Sequence, residues 1–128
     1  MELSKEKLNE YSESLKNDGF VWVKSLFDSK EISKIDEAIE ANIKSPSPFG
    51  KTIRSENNGE FFMDFNNWKR LKLVREVCES KKLVRLVKQL TNSEKCWLFH
   101  DHVLVKNGNA QSTPIHHDRP YYIFKGNL

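Results

Sequence analysis

The chain has no apolar run near the roughly 18 residues that a membrane-spanning helix needs, so no membrane partner is expected. It opens on a charged stretch, Met1-Glu2-Leu3-Ser4-Lys5, which lacks the apolar core of a secretory signal. Cysteine is scarce. Cys78 and Cys96 are too far apart for a CxxC pair, which argues against a disulfide framework and for a reduced, cytoplasmic setting. No internal repeat and no low-complexity segment occurs. Histidine is missing from the first 99 residues altogether.

What is present is the make-up of a soluble globular chain. Hydrophobic residues at 38% and aromatics at 11% are enough to build a core and too many for a disordered segment. At 128 residues this is one domain at most. The net charge of +3 hides an asymmetry. Residues 1–64 carry nine Lys and Arg against thirteen Asp and Glu, whereas residues 65–128 carry twelve against five. Much of the basic excess lies between Lys69 and Lys88. A basic stripe can serve nucleic acid or an anionic substrate, or form the solvated face of two amphipathic helices. No aromatic interleaving or binding motif supports nucleic acid, so none is expected as a partner.

Helical spacing dominates the first part. Leu8, Tyr11 and Leu15 predict a helix over 4–17, capped by Ser4 and ended by Gly19. Phe20-Val21-Trp22-Val23 reads as a short strand that begins a sheet. Asp28 and Glu31 form a capping-box start for a helix over 29–43, whose stripe is Ile32, Ile35, Ile39 and Ile43. Ser45-Pro46-Ser47-Pro48 breaks that pattern, and the polar stretch to Gly59 reads as a long loop. Phe61 to Phe65 is extended. Trp68, Leu71, Val74 and Val77 make a third helical stripe; Leu83, Val84, Leu86, Val87 and Leu90 make a fourth, capped near Ser80. Cys96 to Lys106 reads as a long strand, Gly108 to Gln111 as a turn, and Ile115 to Phe124 as further extended chain.

The histidines are His100, His102, His116 and His117, all within the last 29 residues. On a strand, residues two apart share a face, so His116 and Asp118 can reach one metal ion while His117 points away. A histidine and a carboxylate two apart, joined by a further histidine, make the facial triad of non-haem Fe(II) oxygenases, which leaves three coordination positions open. Three histidines and an aspartate can equally hold Zn²⁺. His100 and His102 also share a strand face, and packing of two core histidines accounts for them as well as metal binding does. Phe61, Asp64 and Trp68 are candidates for a substrate entrance, with packing the simpler role for the aromatics.

The stretch Leu98-Phe99-His100-Asp101-His102-Val103-Leu104-Val105-Lys106, a Gly-containing turn, then Thr113-Pro114-Ile115-His116-His117-Asp118-Arg119-Pro120-Tyr121-Tyr122 resembles the phytanoyl-CoA dioxygenase family. The opening, a helix followed by Asp18-Gly19-Phe20-Val21-Trp22-Val23-Lys24, is similar to that family's as well. The resemblance implies an α+β chain in which N-terminal helices (1–94, mainly helical) precede the first strands of a double-stranded β-helix of jelly-roll or cupin type (95–128). It implies an Fe(II)- and 2-oxoglutarate-dependent dioxygenase that hydroxylates a small organic substrate with O₂. His116 and Asp118 would be iron ligands, His102 would line the 2-oxoglutarate pocket, and Lys106 would lend positive charge nearby. A lysine that some members place near the pocket has no counterpart, because Phe61 stands there. The family's distal histidine, and the arginine that pairs with the co-substrate, would lie beyond Asp118, where no further histidine and no arginine other than Arg119 occurs. A jelly roll also needs about eight strands, and the pattern supplies four or five. The expectation is therefore a partial domain, inactive by itself. Two other readings stay open: a non-catalytic cupin-like metal-binding protein, and a small helical interaction protein with structural histidines. Substrate and oligomeric state are not legible.

Overall fold

A computed structural model describes residues 3–116, 121 and 122. Its elements run α1 (Lys5–Asp18), α2 (Ser29–Lys44), β1 (Lys51–Arg54), β2 (Glu60–Phe65), a 3-10 turn (Asn67–Lys69), α3 (Lys72–Cys78), α4 (Lys81–Leu90) and β3 (His102–Lys106). The class is α+β, as expected, with a three-stranded antiparallel sheet in the order β1-β2-β3. Among the described residues no helix is long and apolar enough to cross a membrane.

The helices begin and end where their caps place them. The Ser4 hydroxyl accepts from the Lys7 N–H, and Gly19 closes α1 in the left-handed region at φ 79°. Asp28 and Glu31 form a reciprocal capping box at the start of α2. Ser80 precedes α4 but makes no side-chain cap bond. Helix α1 packs against α4, and α2 against α3.

Three expectations fail here. Phe20–Val23 forms no strand and begins no sheet; Phe20 and Trp22 stand 69% and 72% exposed, so hydrophobicity without a pairing partner did not make a strand. The long loop after Pro48 instead folds into the β1–β2 hairpin, with Ile53 paired to Phe61 and Lys51 to Met63. All four β1 residues are exposed, so this edge strand carries no hydrophobic alternation to announce it. The expected long strand from Cys96 shrinks to His102–Lys106.

The α2 stripe is displaced rather than absent. Ile35 and Ile39 are half-buried, Ile32 and Ile43 are exposed, and the fully buried positions are Ala38 and Asn42. The helix turns that face inward because Asn42 is needed there. Its amide donates to Asp64 (2.8 Å), and its carbonyl oxygen accepts from the Asn67 amide. Asp64, on β2, also accepts from the Ser47 N–H and hydroxyl and from the Phe65 N–H. Arg70 completes the group, lying 3.6 Å from Asp64 and donating to Asn67 and to the Ser45 carbonyl. Burial raises the Asp64 pKa, but the bonds from Ser47, Asn42 and Phe65 outweigh it and hold the carboxyl at about 2. This buried polar knot ties α2, the loop after it, β2 and the 3-10 turn together. The apolar core beside it is small: Ala38, Phe62, Val74 and Leu86.

Candidate functional site: a histidine-lined cleft on the open face of the sheet

Period-two alternation gives the sheet two unlike faces. Phe62 and Asp64 on β2, opposite Val105 and Val103 on β3, point to the helices. Phe61, Met63 and Phe65, opposite Lys106, Leu104 and His102, point the other way. That second face carries no covering layer among the described residues, and Leu104 and Ile53 are about half exposed on it.

At the Phe65–His102 end the open face deepens into a cleft of about 940 Å³. Phe65, His102 and Leu104 form its floor, His100 and Phe99 one wall, and Thr113, Pro114 and His116 another. Tyr121, Tyr122, Asn66 and Lys69 complete the rim. The aromatics interlock. Phe65 stacks on Phe49 at 4.9 Å and meets the His102 ring edge-on at 5.9 Å. Phe99, His100 and Tyr122 form a second cluster with centroids 4.9–5.8 Å apart. The Tyr122 hydroxyl lies 3.3 Å from His100 Nε2, while His100 Nδ1 is buried with no hydrogen-bond partner.

Asp101 sets the direction of its two neighbours. Its carboxylate accepts from the Trp68 N–H at 2.8 Å, and its carbonyl accepts from the Asn66 N–H. With Asp101 held against the 3-10 turn, His100 and His102 on either side turn to the cleft. Asn66 makes the approach in the left-handed region, φ 62°, which asparagine tolerates.

Of the residues expected at the site, His102 and His116 line the cleft. His116 does so from irregular chain after β3. Asp118 and His117 lie outside the described residues. Lys106 does not line the cleft: its ammonium donates to the Gln111 carbonyl and the Thr113 hydroxyl and lies 4.6 Å from the centre of the Phe61 ring. It braces the chain that leads to His116. Asp64 is fully buried on the opposite face, so it lines no entrance. Phe61 lies under Lys106 and Trp68 beneath Lys69, neither in the cleft wall. Phe65, Phe99 and Lys69 were not singled out from the sequence. Phe65 was detectable in principle, because it shares a strand face with Phe61, two turns of the alternation away.

The donor chemistry suits a metal in one respect. His116 Nδ1 lies 2.8 Å from the Pro114 carbonyl, which can only accept. In the neutral ring Nδ1 therefore carries the proton and Nε2 the lone pair, the arrangement a ligating imidazole adopts. Among the described residues, no group of three or more His, Cys, Asp or Glu is close enough to hold a metal ion.

Comparison with curated proteins and with solved structures returned no match. The family model of phytanoyl-CoA dioxygenase (PhyH) matches residues 15–127, nearly the whole chain, including α2, the sheet and the His116 segment. By that match the chain belongs to the phytanoyl-CoA dioxygenase family, a dioxygenase lineage.

Proposed function

We propose that this chain supplies part of the active site of an Fe(II)- and 2-oxoglutarate-dependent dioxygenase that hydroxylates a small organic substrate in the cytoplasm. The observation that carries the reading is His116. A family match runs through it, it lines the cleft, and its Nδ1 lies against the Pro114 carbonyl, which in the neutral ring puts the lone pair on Nε2. His116 and Asp118 would hold the iron, with His102 beside the co-substrate. When bound, the metal supplies oxidative decarboxylation of 2-oxoglutarate coupled to hydroxylation of a C–H bond. The protein's part is to bind, orient and exclude water. Phe65, which stacks on Phe49, and the Phe99–His100–Tyr122 cluster give the cleft an aromatic lining against which a substrate carbon can be placed.

The sheet is read as the start of a double-stranded β-helix, and the whole of 1–128 as one partial domain, mainly helical over 1–94 apart from the β1–β2 hairpin and contributing core strands after it. The uncovered face of β1–β3, with Leu104 and Ile53 exposed, is the face on which a second sheet of a jelly roll would pack. The two cysteines, both free, agree with a reduced compartment.

The test counts ligands. A facial triad needs three protein ligands, and His116 with Asp118 provides two. We expect 1–128 to bind Fe(II) weakly, with binding reduced further in His116→Ala and Asp118→Ala. No 2-oxoglutarate-dependent O₂ uptake above those controls is expected. Fe(II) affinity that neither substitution changes would remove the metal-site reading. Stoichiometric succinate release from the unaltered chain, lost in both variants, would show that His100 or His102 completes the site.

A further inference from the structure

Charge is distributed unevenly around the cleft. None of its described lining residues is Asp or Glu, and Lys69 is the one Lys or Arg among them. Four lysines elsewhere pair with carboxylates: Lys7 with Glu10, Lys44 with Glu40, Lys72 with Glu76 and Lys82 with Glu31. Lys69 pairs with none among the described residues; its Nζ lies 5.6 Å from the centre of the Trp68 ring. The 3-10 turn fixes the backbone beneath it, since the Lys69 carbonyl accepts from Arg75 and Asn67 is fully buried. An ammonium at the rim of an aromatic cleft, with no carboxylate partner among the described residues, is a site for an amphipathic anion. The apolar wall takes the body, and the charge takes the head.

We propose that the cleft selects a small carboxylic acid with a flat or aliphatic apolar body, and that Lys69 binds the substrate's carboxylate. The inference rests on the dioxygenase reading of the same cleft and names its substrate class. A single ammonium is a point charge that matches a monoanion, whereas a phosphate dianion calls for a second cation or a nest of amides. 2-Oxoglutarate, a dicarboxylate with no apolar body, leaves the Phe65 and Phe99 surfaces uncovered.

Because the contact needs no metal, it is tested on the metal-free chain. Phenylpropionate, its neutral amide and 2-oxoglutarate are titrated separately into ¹⁵N-labelled protein. The Trp68 indole serves as reporter, and the exposed Trp22 and Trp97 indoles as references. The acid should bind about fivefold tighter than the amide, the upper end for a partly exposed ion pair. Lys69→Met should abolish that preference, and Lys69→Arg should keep it. Unchanged amide spectra in both variants would establish that the fold is intact. Equal binding of acid and amide overturns the proposal. So does an acid preference that survives Lys69→Met, and so does a Lys69 dependence seen with 2-oxoglutarate alone. Failure here leaves the iron ligands untouched, and loss of iron binding in His116→Ala leaves this contact untouched.

Discussion

Acid should loosen the fold at one carboxylate, and the size of the effect can be worked out from its surroundings. Asp64 has no exposed surface and accepts from Asn42, from Ser47 twice and from the Phe65 N–H, which holds its pKa at about 2 against an ordinary 3.8. A difference of nearly two units, at about 1.36 kcal/mol each, sets an upper bound of roughly 2.5 kcal/mol. Solvent reaching the half-exposed Ser47 and Phe65 side of the group trims that to about 1–2 kcal/mol. The folded pKa lies below the unfolded one. The contribution is therefore fully present above about pH 4 and is lost as pH falls through about 2. Asp64→Asn removes the charge while keeping the shape, and turns an amide NH₂ towards groups that donate. It should cost about 2–4 kcal/mol at neutral pH. Urea unfolding followed by far-ultraviolet circular dichroism, at pH 7, 4, 3 and 2, gives the wild-type-minus-variant difference directly. Glu31, whose pKa is lowered by Lys82 and by the Asp28 N–H, titrates alike in both proteins and cancels. The difference should shrink by about 1–2 kcal/mol between pH 4 and pH 2. A difference that stays constant across that window, or an asparagine variant as stable as wild type at pH 7, would refute the assignment.

Phe62→Ala removes one of the few large side chains buried between sheet and helices and should cost about 3–4 kcal/mol, read as a fall in urea midpoint. Gly59→Ala places a Cβ on the Asn109 backbone, where the β1–β2 hairpin meets the turn after β3. It should cost about 1–3 kcal/mol and shift the Asn107 and Glu60 amide resonances, whose mutual bonds join the two turns. Lys82→Met should let the Glu31 carboxyl titrate closer to its ordinary value, since the Lys82 contact is the largest influence lowering it. A carboxyl-detected titration showing no upward movement would contradict the pairing.

Helix ends were legible because they are local. Ser4, Gly19 and the Asp28–Glu31 box act within four residues of themselves, so sequence neighbours carry the whole signal. The strands were not, because pairing is decided elsewhere. Lys51–Arg54 is exposed throughout, with Ile53 its one apolar residue, and becomes a strand because Glu60–Met63 offers it partners. Phe20–Val23 is as apolar as a strand should be and finds none. The α2 stripe went astray for a third reason. A reading by hydrophobicity cannot know that a buried aspartate 22 positions on will claim Asn42. For the candidate site, the histidine cluster marked the right end of the chain, while the placement of Phe65 and Lys69 at the cleft depends on strand register and on the turn at Asn66.

The same two aspartates that shape the fold also orient the site. Asp64 lies on β2 and Asp101 immediately before β3, and each is anchored on the helix side of the sheet: Asp64 to Asn42 and Ser47, Asp101 to the Trp68 N–H. Alternation then turns Phe65 on β2 and His102 on β3 to the cleft, and His100, on the other side of Asp101, lines it as well. Hydrophobic pairing would not hold that choice firmly here, since Phe65 and Phe62 are both apolar and a one-residue slip would merely exchange them. A slip would, however, drive Asp64 out of four hydrogen bonds and carry Asp101 away from Trp68, leaving buried donors unmet at roughly 1–3 kcal/mol apiece. In a sheet with so small an apolar core, polar bonds rather than hydrophobic contrast fix the register, and the register is what brings the histidines to the cleft.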